Sequence, residues 1–360
     1  MKVEGLEAIP YSLPFREPYV TARGKLLERD LLLVRARAEG LEGWGETAAL
    51  SLRGGAGVAE LAGEVEGVCR DVLMDGGFEP DRIWSALARC RSRKASAPVL
   101  AAVDIALHDL AGKAAGEPVW KQLGAPAASP VVCNATLPAA NPTELRELAE
   151  RWAADGFRTY KLKMGLASDM AQIATVRSVL GPDVKIRVDA NAAWSVPQAV
   201  ERLAAMEEHV VELAEQPVAG LEQLAEVRAR TRIPLAADES VASPRDARRA
   251  VELGACQMVT VKLAKVGGIS EALAVAGEMP VYLSSALEGP VGIAAAAHCA
   301  QVLPSHAVTA GVAHGLATER LFSETIGTGA VASRDTLRVG DAPGLGVEVD
   351  TDALEARRLV

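Results

Sequence analysis

Hydrophobic and polar positions divide the chain into three stretches. Residues 1 to about 50 follow an extended pattern. Lys2–Pro10 alternates, Leu31–Ala38 is a β-like apolar run after a turn-rich segment, and Gly43-Trp44-Gly45-Glu46 continues as a third extended piece. Residues 56–124 have helical spacing, clearest over Ala97–Ala115 with Pro98 in the first turn. Strands followed by a block of helices predict an α+β domain over residues 1–125, ending near the turn-rich segment 124–130. From Val131 short apolar strands alternate with amphipathic helices. The strands are expected at 131–136, 157–163, 184–189, 210–214, 234–238, 258–262, 280–285 and 307–311, with helices such as Pro142–Ala154 and Ser243–Leu253 between them. Eight such strands in βα units predict parallel pairing and closure into an α/β barrel over 126–325. The rhythm is lost over 326–360, a segment expected to pack back on the first domain.

Composition narrows the class without naming a chemistry. The chain has 360 residues, 49% hydrophobic and 24% charged, with a formal net charge of −9. It carries no basic stripe, which argues against nucleic acid as a partner. No apolar run is long enough to span a bilayer, and the N-terminus lacks the apolar segment of a signal peptide. The five scattered cysteines contain no CxxC and are expected to be free thiols in a reducing cytoplasm. Glycine-rich dinucleotide and P-loop patterns are missing, as is a GxSxG elbow. His108, His209, His298, His306 and His314 are expected to be structural.

The chemistry is concentrated at the strand ends, where barrels place their active sites. Asp189, Glu215 and Asp238 end three successive strands, 26 and 23 residues apart, about one βα unit each. Three converging carboxylates repel unless neutralised. An all-oxygen set of this kind suits Mg²⁺, with Mn²⁺ also able to serve, better than zinc. Lys163 and Lys262 end the flanking strands and are candidate acid/base groups. Lys161 shares a face with Lys163 and is expected to lower its pKa by like charge. Asn191, Glu239 and Lys265 lie beside these positions as supporting groups. Ser284, Ser285 and Glu288 follow the seventh strand and are candidate substrate contacts.

These pieces resemble the enolase superfamily and, within it, the muconate-lactonizing subgroup. The matching segments are Tyr160-Lys161-Leu162-Lys163-Met164-Gly165, Asp189-Ala190-Asn191, Glu215-Gln216-Pro217, Asp238-Glu239-Ser240 and residues 261–268. In the first domain they are Gly43–Glu46 and the helix around Asp104 and Asp109. The resemblance implies a (β/α)7β barrel under an α+β capping domain, with Asp189, Glu215 and Asp238 as Mg²⁺ ligands. It implies Lys163 and Lys262 as the acid/base pair. Residues 14–24 match a flexible specificity loop, making Arg16, Tyr19 and Arg23 candidate substrate contacts. Residues 284–292 look like the seventh-strand segment of o-succinylbenzoate synthases. The expected activity is therefore proton abstraction next to a carboxylate, with o-succinylbenzoate synthesis leading. N-succinylamino acid racemisation, dipeptide epimerisation and muconate-type cycloisomerisation use the same apparatus. The expected partner is a small carboxylate, and self-association into a homo-oligomer is left open.

Overall fold

The computed structural model describes every residue except 22–23, 51–53, 165–167 and 360. Three antiparallel strands open the chain: β1 (Gly5–Thr21), β2 (Gly24–Ala38) and β3 (Leu41–Ala48). Helices α1 (Val58–Glu64), α2 (Arg70–Gly76), α3 (Ile83–Ser92), α4 (Ala97–Ala115) and α5 (Val119–Gln122) follow. The apolar run of β2 is buried on both faces. Leu31 and Leu33 join the large core shared with the barrel, while Leu32, Val34 and Ala36 join a second core with the helices. The sheet is thus sandwiched, which explains why β2 shows an apolar run instead of alternation.

The strand β1 is longer than expected. It runs through Pro14–Thr21, the stretch anticipated as a flexible loop, with a register shift between Pro14 and Tyr19. Phe15 stacks on Phe322 at 4.8 Å and on Tyr19 at 5.5 Å, and these ring contacts hold the hairpin against the barrel.

Gly43 and Gly45 let β3 lie directly on α4. A Cβ on Gly45 would collide with the Ala102 carbonyl, and one on Gly43 with the Ala106 carbonyl. Backbone atoms cannot swing aside as a side chain can. Gly45→Ala is therefore expected to lower the unfolding free energy by about 2–3 kcal/mol. Urea unfolding checks this, and an unchanged midpoint would contradict the close packing.

Among the described residues, seven strands form one parallel sheet: β5 (Ala135–Leu137), β6 (Thr159–Lys163), β7 (Lys185–Asp189), β8 (Val211–Glu215), β9 (Leu235–Ala237), β10 (Met258–Val261) and β11 (Val281–Leu283). They lie side by side in chain order, and β4 (Val131–Val132) leads into them. The intervening helices are α6 (Pro142–Ala154), α7 (Asp169–Leu180), α8 (Val196–Met206), α9 (Leu221–Arg228), α10 (Pro244–Leu253), α11 (Leu263–Val266), α12 (Ile269–Ala276) and α13 (Pro290–Ala300). Several start where their sequence says they should. Asn141 caps α6, Ser243 caps α10, and each is followed by proline at the first helical position.

The eighth strand is not at 307–311, where the chain turns. Two later residues do its work. His314 bridges in parallel to Cys133 and Gly315 to Ser284, so this short segment joins the β11 edge to the chain entering β5. Two bridged residues need no hydrophobic run, and the apolar pattern one turn earlier misplaces the element. The end of the chain returns to the first sheet. The Leu359 amide donates to the Pro10 carbonyl at 2.9 Å, and Arg358 bridges to Tyr11.

Two buried carboxylates of the N-terminal region cap helices of the barrel. Asp104 on α4 accepts from the Ile269 and Ser270 amides at 2.5 and 3.2 Å, at the start of α12. Glu46 on β3 accepts from the Gly289 and Gly292 amides at 3.1 and 2.5 Å, at the start of α13, and from the Tyr11 hydroxyl. Helix N-termini favour such negative charge. Burial nevertheless dominates for Glu46 and raises its pKa from 4.5 to about 7, with Glu288 close by adding to the shift. The folded protein keeps a proton on Glu46 between those values, whereas the unfolded chain releases it. Stability conferred below pH 4.5 is therefore lost as pH rises toward 7. Glu46→Gln is expected to remove on the order of 1–3 kcal/mol of that pH-dependent loss. Thermal melting at pH 5 and pH 8 tests it, and an equal loss in both proteins would assign the effect to other groups.

Candidate active site

Side chains two apart on a strand share a face, and in this sheet that face is the barrel interior. It fills in layers. Leu213, Ala236, Met258 and Tyr282 form a buried apolar layer. Arg187 is buried beside them, with its guanidinium 5.4 Å from the Tyr282 ring centroid, its Nε donating to Glu212 at 2.7 Å and its Nη1 to the Ala313 carbonyl at 2.6 Å. One step toward the strand ends come Lys161, Lys163, Asp189, Glu215 and Asp238, all buried. Register sets Lys163 opposite Asp189 and Asp189 opposite Glu215. Lys161 starts two residues earlier, opposite Arg187, and reaches the same carboxylates with its long side chain, while Asp238 lies two residues beyond Ala236, the partner of Glu215.

Every carboxylate in this layer is neutralised by lysine. Lys161 Nζ donates to both oxygens of Glu215 at 2.7 Å and lies 2.9 Å from Asp189. Lys163 Nζ donates to Asp189 at 2.7 Å and to Asn191 Oδ1 at 3.1 Å. Lys262 Nζ donates to Asp238 Oδ2 at 2.5 Å, and Lys265 Nζ to Asp238 Oδ1 at 2.9 Å. Asn191 Nδ2 in turn donates to Glu239 at 3.2 Å, joining two of the expected supporting residues. The lowered pKa expected for Lys163 is not found. Burial, the largest influence, and the like charge of Lys161 do push that way, but Asp189, Tyr19 and Glu215 together outweigh them and hold the lysine above its ordinary value. For Asp189, burial works against ionisation and the ammonium groups of Lys161 and Lys163 overcome it, keeping the carboxyl well below the usual range.

A cavity of about 720 Å³, counting its open mouth, lies above this layer. Lys163 and Lys262 both line it, as do Tyr19, Ser284 and Ser285. Two of the residues expected to contact substrate lie elsewhere. Glu288 is buried behind the loop after β11, where it accepts from the Ala286 amide at 2.6 Å and does not line the cavity. Arg16 is exposed, its Nε donating to the Arg320 carbonyl at 3.2 Å, and it lines outer crevices. Arg23 lies outside the described residues. Four residues were missed. Tyr282 donates to Glu215 Oε2 at 2.6 Å, and strand alternation from Ser284 could have found it. Thr136, Thr318 and Arg29 line the cavity, and for Arg29, on β2, no local signal exists.

The donor set can be tested for a metal. Among the described residues no three acidic, histidine or cysteine side chains are drawn into a ready-made cage, and each of the three carboxylates is paired with lysine. Asp189, Glu215 and Asp238 still offer only oxygen, from the ends of three adjacent strands, and this fits a hard dication. His298 and His314 take no part. The His298 Nδ1 accepts from the Trp120 amide and the His314 Nδ1 from the Leu283 amide, both at 3.0 Å.

Residues 7–124 match the mandelate racemase/muconate lactonizing enzyme N-terminal domain, and residues 144–353 match the enolase C-terminal domain-like family. The chain belongs to the enolase superfamily, in its muconate-lactonizing subgroup. An L-Ala-D/L-Glu epimerase from Clostridium acetobutylicum is 32% identical over 94% of this chain and 96% of its own length. An o-succinylbenzoate synthase from Thermobifida fusca is 39% identical over 55% of this chain and 62% of its own. A solved dipeptide epimerase from Enterococcus faecalis, complexed with Mg and the dipeptide L-Leu-L-Tyr, superposes with a TM-score of 0.88 at 29% identity, covering 97% of this chain and 100% of that one. This enolase-superfamily chain is an enzyme with a TIM-type fold. Its five cysteines are buried and free, and no described helix is long and apolar enough to cross a membrane.

Proposed function

We propose that this enzyme removes the proton next to a carboxylate of a small anionic substrate, with o-succinylbenzoate synthesis as the leading reaction. One observation carries the substrate class. Among its described lining residues the cavity has four cationic side chains, Arg29, Lys161, Lys163 and Lys262, and no acidic one. The lysines are paired with carboxylates beneath the wall, but no carboxylate lines the cavity itself, so an anionic substrate meets cationic side chains there, whereas a dipeptide ammonium group would lack a partner among the described lining residues.

Asp189, Glu215 and Asp238 would hold Mg²⁺, with Mn²⁺ as an alternative, and the ion would supply positive charge to the substrate carboxylate and to these acids once a lysine gives up its proton. Lys163, as the free amine, takes the α-proton on its Nζ. Lys262, across the three carboxylate-bearing strands, offsets the negative charge that builds on the substrate. Lys163 then returns its proton to the departing hydroxyl, which leaves as water. In a racemase Lys262 would instead deliver a proton to the opposite face.

Dipeptide epimerisation is the second reading, favoured by the relatives that match along nearly the whole chain. Its ammonium partner would have to be Glu319, next to Thr318. Burial raises the Glu319 pKa to about 7, and the residue lines a neighbouring crevice with Arg16 and Phe322.

The test is ultraviolet-monitored turnover of 2-succinyl-6-hydroxy-2,4-cyclohexadiene-1-carboxylate with Mg²⁺ and with EDTA. Fast, chelator-sensitive loss of the diene is expected. No turnover, together with α-proton exchange of L-Ala-L-Glu in deuterated buffer, would replace the leading reading with the second.

A further inference from the structure

We infer that Arg29, reaching from the N-terminal sheet into the cavity, forms with Ser285 and Thr318 a subsite for a second anionic group of the substrate. The inference rests on the proposed reaction in one respect, that the first carboxylate lies beside Asp189, Glu215 and Asp238.

The location of Arg29 is unusual for its chemistry. It is only 5% exposed, yet it belongs to the sheet and not to the barrel. Its Nη2 donates at 2.8 Å to the Ala286 carbonyl, in the loop after β11, and this fixes the guanidinium over the far side of the cavity from β7 and β8. Guanidinium is the side chain best suited to carboxylate in a dry site, because its planar fork meets both oxygens and it does not deprotonate.

The adjoining wall carries matching donors. Ser285 Oγ and Thr318 Oγ1 are 2.5 Å apart, and both line the cavity. Ser285 Oγ also accepts from the Leu287 amide at 2.9 Å. The two hydroxyls have two hydrogens between them, and their mutual bond uses one. The other can be donated to a ligand. A cation and a hydroxyl donor therefore converge on one end of the cavity, while the proposed proton-transfer lysines, with the acids beneath them, occupy the other. A substrate with carboxylates at both ends satisfies both.

The competing account makes Arg29 structural: it ties the sheet to the β11 loop and helps balance the buried Glu288 behind it. Loss of such a tie would weaken every ligand alike, and a subsite would not.

Two ligands separate these accounts. N-succinyl-L-phenylalanine and N-butanoyl-L-phenylalanine share the α-carboxylate, the amide and the chain length, and differ in a distal carboxylate against a methyl group. Their dissociation constants would be measured by calorimetry on the full-length protein with Mg²⁺. The native protein is expected to prefer the succinyl ligand by at least about tenfold, the scale of one charge-assisted hydrogen bond. Arg29→Gln should reduce that ratio below about threefold. Arg29→Lys, which keeps the charge and loses the fork, should fall between and serves if the glutamine variant does not fold. No preference in the native protein, or an unchanged ratio in either folded variant, overturns the subsite. Deuterium exchange at the α-carbon, followed in the same samples, reports on the reaction separately. A ratio that depends on Arg29 without any exchange would retain the subsite and remove the proposed chemistry.

Discussion

Replacing Lys163 with alanine should reduce turnover at least about a thousandfold, within the range expected for a positioned general base and acid. The residue lines the cavity and its Nζ reaches Asp189 and Asn191, so no neighbour can take its place without moving. Lys161 remains 2.9 Å from Asp189 in the variant, which keeps that buried carboxylate paired and the fold intact. Mn²⁺ titration followed by electron paramagnetic resonance should give an affinity close to that of the native protein. Lys163→Arg sharpens the result. It restores the positive charge but cannot deprotonate, so it should be as inactive as the alanine variant. If arginine rescues the rate, the lysine acts by charge alone and its role as base is wrong.

Asp238→Asn should cause the second large loss, this time in metal affinity as well as rate. Asp238 is fully buried and serves both Lys262 and Lys265, and its amide donates to Gln216 Oε1 at 2.7 Å. Asparagine keeps the shape and removes the charge. Two buried ammonium groups then lose a counter-ion, and removing one partner of a buried pair typically costs about 3–5 kcal/mol. The metal-free variant should accordingly melt well below the native protein. Mn²⁺ affinity should fall by at least about a hundredfold, beyond what is lost when only a group supporting a ligand is removed. Titration at a temperature where the variant is folded separates the two effects. Unchanged affinity would leave Asp238 as a partner of lysines only.

Much of this arrangement is legible in the sequence because strand geometry is periodic. Carboxylates ending successive βα units must come level, and lysines two residues apart must share a face. That is why Lys163, Asp189 and Glu215 stand opposite one another across adjacent strands, with Lys161 and Asp238 within ion-pair reach of the same cluster. What could not be read depends on long-range contacts. Arg29 lies in an apolar strand whose approach to the β11 loop no local pattern encodes. Glu288 has the chemistry of a ligand contact but is drawn behind the loop by the Ala286 amide. The direction of the Lys163 shift differs from expectation for another reason: burial and the like charge of Lys161 are outweighed by the combined attraction of Asp189, Tyr19 and Glu215. The eighth strand escaped because two bridged residues suffice to join the edges.

That short join divides the rim unequally. From β6 to β8 the strands pair at four or five positions each, and the charged groups of the layer are carried on β6 to β8 and just beyond the ends of β9 and β10. Between β11 and β5 the wall is held by two bridges, and Ser284, Ser285 and Thr318 sit there, facing the N-terminal sheet. Substitutions at this seam disturb few backbone bonds and no member of the charged set. If these residues contact the substrate as proposed, changes at the seam would alter what the cavity accepts while leaving the lysine and carboxylate pairs in place.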